Sequence, residues 1–253
     1  MFRWLFFTTF FVLSIQALAL AQTPTQWQIL ARGLSYAKIP PNQEHQQAQI
    51  HAFKIDLQEY QLDLAFPEDH ASNVEDIAKE QGALLAINGG FFTNDANEKA
   101  PIGLRIQNGE IKSRLQNTSW WGIFYLNKQQ AKIIPISQYK NTQNIETAIQ
   151  AGPRLIIDGQ IPSLKSGIAE RSALCIPQND KQLILLVTGH APMSTTEFAK
   201  LIQPPESQGG LGCVNALNLD GGGSRQLYAS IGNFKLNISG YSPITDALIV
   251  MPN

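Results

Sequence analysis

The chain has little cysteine and no concentration of charge of either sign. Its 253 residues include two cysteines, 19 lysines and arginines, and 20 aspartates and glutamates. Two cysteines do not make a disulfide-rich scaffold. Because no basic run interleaves with aromatic residues, a nucleic-acid partner is not expected. Cys175 and Cys213 both lie in apolar stretches, so one disulfide and two buried thiols stand as equal alternatives.

Long apolar runs are missing as well, with one exception at the N-terminus. Arg3 precedes the run WLFFTTFFVLSIQALAL, and Ala19 and Ala21 offer a small-residue cleavage site. This layout predicts a signal peptide over residues 1–21, with an uncleaved membrane anchor as the alternative. The mature protein is therefore expected to be exported, periplasmic or secreted, without stable membrane insertion.

Several catalytic motifs are absent from the sequence. Gly-x-Ser-x-Gly, Walker A, Gly-x-Gly-x-x-Gly after a strand, His-Glu-x-x-His and Cys-x-x-Cys do not occur. These absences argue against serine hydrolases, P-loop proteins and common metalloproteases. Candidate zinc ligands are too few to form a site.

Alternating apolar residues and turn signals indicate many short strands. Residues 51–57 and 60–66 alternate as two paired strands would, and residues 83–87 are typical of a strand buried on both faces. Asn108–Gly109 and Asp158–Gly159 predict hairpin turns. Two further strand pairs are predicted, WWGIFYL with AKIIPI and RSALCI with LILLVT.

Two capping boxes predict helices. Ser72 with Glu75 begins the first, which Gly82 should end, and Ser194 with Glu197 begins the second. Since strands outnumber helices, we predict an α+β fold, a single domain with a mixed, mostly antiparallel sheet and a few flanking helices.

The N-terminal part of the mature chain differs in composition from the rest. Residues 22–50 are polar and glutamine-rich, which predicts a loosely attached arm. Residues 51–253 are predicted to form the folded domain.

Two glycine-rich corners follow apolar strands and raise the question of what they approach. One is Asn88–Gly89–Gly90, and the other is Asp220–Gly221–Gly222–Gly223 followed by Ser224. Successive backbone N–H groups in such corners can bind an anion, and the missing side chains allow close approach of a ligand. Two ordinary tight turns are the alternative. Whether the corners meet cannot be read from the sequence.

Other candidate residues lie at strand ends. His190 follows a buried strand together with Thr188 and Gly189, and its near-neutral pKa suits catalysis, although a lone histidine is more often structural. Arg171 and Arg154 each begin an apolar stretch. Each is predicted either to bind phosphate or carboxylate in bidentate fashion or to form a surface salt bridge.

Five segments of the chain are INGGFF (87–92), AGPRLIIDG (151–159), RSALCI (171–176), TTEFAKLI (195–202) and GCVNALNLDGGGS (212–224). They occur in the order found in the phosphodiester glycosidase family, which the chain resembles over about residues 80–250. The family's RTA(I/V)G motif ends in glycine, where this chain has Cys175.

The resemblance implies a hydrolase that cleaves a sugar's anomeric carbon from a phosphodiester and releases free sugar. The implied substrate is a glycosyl-1-phosphodiester of the N-acetylglucosamine type, or another phosphorylated glycan, and bacterial relatives are associated with exopolysaccharide. Residues 51–253 would then be a phosphodiester glycosidase-like domain.

The implied roles are hypotheses about mechanism. Asp220, Asn88, Arg171 and His190 are assigned to catalysis, with Asp220 as nucleophile, general base or stabiliser of the oxocarbenium-like state. Asn88 would bind the sugar or hold Asp220. A second acid is open among Asp246, Glu170 and Asp95. Substrate binding is assigned to Gly89, Gly90, Gly221, Gly222, Gly223, Ser224 and Arg154.

Two other functions remain open. A non-catalytic envelope protein could bind anionic or phosphorylated glycans through the same corners. A phosphodiesterase could use Ca²⁺ or Mg²⁺ held by Asp220 and Asn88, although two ligands are too few to define a site. We expect no cofactor and no metal.

Overall fold

Strands make up most of the secondary structure that the computed structural model describes, which covers residues 23–40, 49–68, 71–93, 99–141, 144–190 and 192–253. The predicted signal peptide and Asp95 lie outside these residues. The strands are β1 (Gln28–Ala31), β2 (Leu34–Ile39), β3 (Gln49–Asp56), β4 (Tyr60–Ala65), β5 (Leu85–Asn88), β6 (Arg105–Gln107), β7 (Glu110–Ser113), β8 (Gly122–Asn127), β9 (Gln130–Pro135), β10 (Thr147–Ala151), β11 (Arg154–Ile156), β12 (Ser172–Ile176), β13 (Gln182–Gly189), β14 (Asn215–Asn218), β15 (Leu227–Ile231), β16 (Phe234–Ile238) and β17 (Ala247–Pro252).

The strands form three sheets within the described residues. Sheet 1 has the order β1-β2-β3-β13-β12-β14-β11, sheet 2 the order β7-β6-β10-β8-β9, and sheet 3 the order β16-β15-β5-β17-β4. One large apolar cluster contains residues of all three sheets, for example Leu174, Phe124 and Ile87. The sheets therefore share one core.

The α+β prediction is wrong, because the fold is mostly β. Among the described residues, 17 strands accompany two α-helices, α1 (Val74–Glu80) and α2 (Thr195–Ile202). Every strand pair in the three sheets is antiparallel. The helical pattern was confined to the two capped segments, while period-two alternation ran through the rest of the chain.

The two helices cover the outer faces of sheets 3 and 1. Helix α2 begins at the predicted capping box, in which Ser194 and Glu197 exchange hydrogen bonds, and buries Phe198 in the apolar cluster of sheet 1. Helix α1 begins one residue later than predicted, because the Asn73 side chain, not that of Ser72, accepts the capping bond from Asp76 N. Gly82 follows it with φ +65°.

Several strand pairings are confirmed. Strand β8 pairs with β9, β12 with β13, and β6 with β7 around Asn108–Gly109. Asp158–Gly159 forms a turn closed by the bridge between Ile157 and Gln160. Strand β5 is buried along its length, as predicted, between β15 and β17.

The predicted pairing of residues 51–57 with residues 60–66 is wrong. Strand β3 pairs with β2 and β13 in sheet 1, whereas β4 pairs with β17 in sheet 3. The connection at residues 57–59 thus passes from one sheet to the other. Alternation predicts a strand but does not name its partner.

Part of the predicted N-terminal arm is built into the fold. Strands β1 and β2 extend sheet 1 beyond β3, and Leu34 and Ala37 are buried. The prediction of loose attachment is therefore wrong for residues 28–39.

The two cysteines form a disulfide. Cys175 in β12 is bonded to Cys213, with their Cα atoms 5.5 Å apart, and both side chains are buried in the apolar cluster on the outer face of sheet 1. Of the two alternatives left by the sequence, the structure has the disulfide.

Candidate active site

The two glycine corners meet at the junction of sheets 1 and 3. Asn88, at the end of β5, donates through Nδ2 to the carbonyl of Asp220 at 2.8 Å, and Asp220 N donates to the carbonyl of Gly89 at 3.2 Å. Asn88 Oδ1 accepts from Ser172 Oγ at 2.7 Å and from Gln226 N at 3.1 Å. The fully buried Asn88 therefore holds Asp220 in place through its backbone.

Glycine is required at residues 89 and 90 by close packing against a buried ion pair. A Cβ atom on Gly89 would lie 1.5 Å from Asp246 Oδ1, and one on Gly90 would lie 2.4 Å from Arg105 Nη2. Asp246 Oδ2 accepts from Arg105 Nε at 3.0 Å, and neither side chain is exposed. Contacts within the protein thus explain both glycines of this corner.

The second corner is tightly packed at Gly221 and Gly223. A Cβ on Gly221 would lie 2.4 Å from the carbonyl oxygen of Glu170, and one on Gly223 would lie 2.4 Å from the Tyr241 ring. Gly222 has φ +57° and open space around it, and begins a short 3₁₀ turn that ends at Ser224.

The N–H groups predicted to bind phosphate already have protein acceptors. Gly89 N donates to the carbonyl of Asp246 and Gly90 N to its Oδ1, at 2.8 and 3.2 Å. Gly221 N donates to Asp220 Oδ1 at 2.9 Å, and Gly222 N to the carbonyl of Glu170 at 2.8 Å. An anion would have to displace these acceptors to use the four N–H groups.

A cleft of about 550 Å³ opens beside the second corner, between the ends of sheets 1 and 2 and the loop before β12. Most of its wall is apolar or backbone. The cleft is lined by Phe91, Trp120, Gly152, Pro153, Ser163, Leu164, Lys165, Ser166, Gly167, Ala169, Arg171, Thr195, Asn218, Asp220, Gly221 and Gly222.

Asp220 is the one carboxylate among the described residues that line this cleft. Burial raises its pKa, while hydrogen bonds from Ser224 and from Gly221 N oppose that rise. The neighbouring charge of Asp246 raises the pKa further, and that of Arg105 lowers it. A carboxylate with a raised pKa is suited to accept a proton from water near neutral pH.

Arg171 brings positive charge to the cleft wall and also fastens the adjacent loop. Its Nε donates to the carbonyl of Met193 at 2.8 Å, and its Nη2 donates to the carbonyl of Gly167. Its backbone N–H donates to Thr188 Oγ1 at 2.8 Å. Arg171 thus lines the same cleft as Asp220 and Gly221.

A family model of phosphodiester glycosidases matches residues 81–251, which include both corners and the cleft. The chain belongs to the phosphodiester glycosidase family. The resemblance noted from the sequence is thereby confirmed.

Individual relatives of this phosphodiester glycosidase family member are distant. The Escherichia coli uncharacterized protein YigE is 28% identical over 123 residues, covering 44% of this chain and 47% of that protein. The match thus spans about half of the relative's length.

Solved structures share the fold. A hypothetical protein from Synechocystis aligns with a TM-score of 0.65 and 18% identity over 91% of this chain and 64% of its own. The zebrafish N-acetylglucosamine-1-phosphodiester alpha-N-acetylglucosaminidase catalytic domain, auto-inhibited by its pro-peptide, aligns with a TM-score of 0.61 and 18% identity over 92% of this chain and 89% of its own.

Seven predicted site residues of the phosphodiester glycosidase chain do not line the cleft: Asn88, Gly89, Gly90, Gly223 and Ser224, which belong to the two corners, and His190 and Arg154, which do not. His190 is exposed, with φ +54°. Arg154, at the start of β11, packs its stem against Gly122 and is near Asp158. Their predicted roles therefore have no support from contact with the cleft.

The candidates for a second catalytic acid differ in burial and in hydrogen-bond partners. Asp246 is buried under the first corner and paired with Arg105, so it has no access to a ligand. The Glu170 carboxylate accepts from Thr188 Oγ1 and lies 4.0 Å from Arg225 Nε. Asp95 lies outside the described residues.

Three features of the cleft wall were not predicted from the sequence as parts of a site. They are Lys165, Trp120 and the cis peptide Gly152–Pro153. In the sequence, AGPRLIIDG indicated a candidate site only through Arg154, and Trp120 and Trp121 were predicted only to belong to a strand. Only the aromatic pair beside a polar loop could have suggested a ligand-binding wall.

Within the described residues, no cluster of three or more histidine, cysteine, aspartate or glutamate side chains could hold a metal ion. The same part of the chain has no helix with the length and apolar character needed to cross a membrane.

Proposed function

We propose that this protein hydrolyses the bond between the anomeric carbon of a sugar and a phosphodiester, with an N-acetylglucosamine-type glycosyl-1-phosphodiester as substrate. One observation carries the proposal. The partly buried carboxylate of Asp220 lies in a cleft with Arg171, inside a domain that matches phosphodiester glycosidases.

In this mechanism water attacks the anomeric carbon while the bond from that carbon to the phosphate oxygen breaks. The electron pair stays on the departing oxygen, and the products are free sugar and a phosphomonoester. Asp220 takes the proton from the water or stabilises the oxocarbenium-like state. Its raised pKa, caused by burial, suits the first role.

Negative charge develops on the departing phosphate, so cations on the cleft wall should matter more than a strong acid. Arg171 and Lys165 are the cationic side chains among the described lining residues. Arg171 uses Nε and Nη2 to hold the loop, which leaves Nη1 for the phosphate. That the described lining residues include one carboxylate, Asp220, then fits a leaving group that needs little protonation.

The aromatic wall provides a surface for the sugar. Trp120 is 51% exposed and packs edge-on against Trp121, with 5.8 Å between ring centroids. Lys165 Nζ lies 6.0 Å from the Trp120 ring centroid. Aromatic faces bind the C–H faces of sugar rings through apolar contact, and Lys165 would place a cation close to the phosphate.

Export to the periplasm or beyond the cell is part of the proposal. The disulfide between Cys175 and Cys213 supports it, since disulfides persist mainly in oxidising compartments. The apolar N-terminal run supports it independently.

A non-catalytic glycan-binding protein is the second candidate. The observation that favours it is that Asp220 is the one carboxylate among the described residues lining the cleft, because most glycosidases use two. Such a protein would bind phosphorylated glycans through Arg171 and Lys165 and would not require the charge of Asp220.

Turnover of a chromogenic N-acetylglucosaminyl-1-phosphodiester by the mature protein and by Asp220→Asn tests the proposal. We expect free sugar from the wild type and a loss of kcat of about 10³-fold or more in the variant. Asp180→Asn makes the same change in the turn between β12 and β13 and should retain activity.

No turnover of several glycosyl phosphodiesters, with glycan binding retained in Asp220→Asn, would support the binding protein instead. Equal loss of activity in Asp220→Asn and Asp180→Asn would point to a general effect on folding and remove Asp220 from the chemistry.

A further inference from the structure

Arg225 carries a mostly buried guanidinium whose Nε has no hydrogen-bond partner. Its side chain is 12% exposed, and among the described residues the one carboxylate within ion-pair range is Glu170, with Oε2 4.0 Å from Nε. That distance is too long for a hydrogen bond. A guanidinium has five N–H donors, and a donor taken out of water without an acceptor is costly. The charge of Arg225 therefore lacks an acceptor that the described protein could supply.

Arg105 and Arg171 show how this fold satisfies an arginine that it buries. Arg105 Nε donates to Asp246 Oδ2 at 3.0 Å, and Arg171 Nε donates to the carbonyl of Met193 at 2.8 Å. Both guanidinium groups also donate to further backbone carbonyls. Arg225 differs from both, because its Nε is equally inaccessible to water and has no such acceptor.

Glu170 is held in a position from which it does not provide that acceptor. Its Oε2 accepts from Thr188 Oγ1, and its backbone carbonyl accepts from Gly222 N at 2.8 Å. The ion pair with Arg225 thus keeps its length of 4.0 Å. An oxyanion from outside the chain is the remaining kind of partner for Nε.

The second corner connects Arg225 to the cleft. Arg225 N donates to the carbonyl of Gly222 at 3.4 Å. Gly222 lines the cleft, and an added Cβ there would meet nothing within 4 Å. One 3₁₀ turn, about 6 Å along its axis, therefore separates the backbone of Arg225 from an open part of the cleft wall.

Positive charge exceeds negative charge around Arg225. Burial lowers the pKa of His51 to about 4, and the charges of Lys38, Arg225 and His190 lower it further. Lys38 and Arg225 are thus two cations near the same histidine, and Glu170 is the carboxylate that opposes them. Such an excess attracts an anion to this side of the corner.

We infer that Arg225 binds a second anionic group of the substrate, on the aglycone side of the phosphodiester. The substrate class is a glycosyl phosphodiester whose aglycone carries a further phosphate or carboxylate. The inference rests on the proposed function, because the cleft with Asp220 and Arg171 receives the first phosphate.

An oxyanion offers the acceptors that a guanidinium binds best. Phosphate and carboxylate oxygens accept from two N–H groups of arginine at once, and rotation of the long Arg225 side chain would present Nε and one terminal nitrogen to them. Tyr241 is 87% exposed and packs its ring against Gly223. It provides an aromatic surface beside Arg225 for the rest of the aglycone.

The test compares two N-acetylglucosaminyl-1-phosphodiesters, the ester of propanol and the ester of 3-hydroxypropyl phosphate. The same anomeric bond breaks in both, and the second ester alone has a further anionic group. We expect the wild type to favour the anionic ester in kcat/KM by about tenfold. Arg225→Gln should bring the two esters to similar kcat/KM.

UDP-N-acetylglucosamine adds an arm in which the second phosphate is attached directly to the first. Higher kcat/KM on this substrate than on the anionic propyl ester, lost in Arg225→Gln, would identify an adjacent phosphate as the group bound. The reverse order would identify an anion set further along the aglycone. Both results support the inference and differ in the source of the anion.

Two variants serve as controls. Arg225→Lys keeps the charge and should retain part of the preference for the anionic ester. Arg32→Gln removes the same charge from the pair with Glu59, where the arginine side chain is 86% exposed, and should leave the preference unchanged. Equal losses on both esters in Arg225→Gln would mean that Arg225 supports the corner alone and would overturn the inference.

A binding measurement separates this inference from the proposed function. Titration calorimetry of the wild type with propyl phosphate and with 1,3-propanediol bisphosphate measures the same preference without hydrolysis. Tighter binding of the bisphosphate that Arg225→Gln removes, without turnover of either ester, would refute the proposed hydrolysis and support the inference. Turnover without preference for the anionic ester, or equal binding of the two phosphates, would overturn the inference.

Discussion

Arg105 and Asp246 form an ion pair, 3.0 Å from Nε to Oδ2, in which neither side chain is exposed to solvent. The pair lies directly beneath Gly89 and Gly90, and Asp246 accepts both of their N–H groups. The corner that contacts Asp220 is therefore supported by a buried charge pair between β6 of sheet 2 and the residue that precedes β17 of sheet 3.

Removing the charge of Asp246 should destabilise the fold strongly. Asp246→Asn leaves the Arg105 guanidinium buried without a counter-charge, and we expect a loss of about 3 to 5 kcal/mol in the free energy of unfolding. Urea denaturation measures it. Glu110→Gln at the exposed pair with Lys112 should change little, and a similar effect in both variants would contradict the argument.

A methyl group at residue 89 should be as disruptive. Gly89→Ala places Cβ 1.5 Å from Asp246 Oδ1, so the ion pair or the corner must move, at a cost of about 3 kcal/mol or more. Thermal unfolding is the measurement. At Gly167 an added Cβ meets nothing within 4 Å, and Gly167→Ala should unfold close to the wild-type temperature. A stable Gly89→Ala would show that the packing there is loose.

The partly buried carboxylate of Asp220 should make stability depend on pH. Because burial raises its pKa above the unfolded value, the folded state holds this proton more tightly. The contribution is present below the unfolded pKa of about 3.9 and is lost as pH rises through the folded pKa. Asp220→Asn should therefore be more stable than wild type at neutral pH.

That gain should shrink as the pH falls towards the unfolded pKa. Denaturation of both proteins across the acid range measures the difference. A gain that is independent of pH would mean that the charge of Asp220 is not its source.

Loss of the disulfide should weaken the outer face of sheet 1. Cys175 and Cys213 are 38 residues apart, and a crosslink closing a loop of that size contributes about 4 kcal/mol. Urea denaturation of Cys175→Ala/Cys213→Ala should show this loss, and the oxidised wild type denatured without reductant should have no titratable thiol. Two titratable thiols would contradict the crosslink.

Short sequence motifs correctly predicted the features that depend only on residues adjacent in the chain. The capping box of Ser194 and Glu197 and the turn at Asn108–Gly109 each need only a few residues, and both appear where expected. The first helix cap was misplaced by one residue because Ser72 and Asn73 are both good caps. The choice depended on which side chain reached Asp76 N.

Features that depend on distant contacts were not predictable in the same way. Strands β3 and β4 follow each other closely, yet β3 has one partner from residues 182–189 and β4 has its partner from residues 247–252. Lys165 belongs to a loop without a pattern, and that loop is held at the cleft by hydrogen bonds from Thr195 Oγ1 to the carbonyl of Lys165 and from Arg171 Nη2 to the carbonyl of Gly167. The glycines at residues 89 and 90 were attributed to a ligand, whereas Asp246 and Arg105 fill that space.

By itself, the sequence determined many of the strands, two capped helices, two glycine corners and the family that the chain resembles, because these depend on periodicity, capping and local motifs. Only the tertiary structure decided that the corners meet through Asn88 and Asp220, that Asp246 is buried while Asp220 faces a cleft, and that Arg225 Nε is buried without a hydrogen-bond partner. These facts follow from the packing of three sheets, since contacts between residues more than 100 positions apart leave no local pattern in a single sequence.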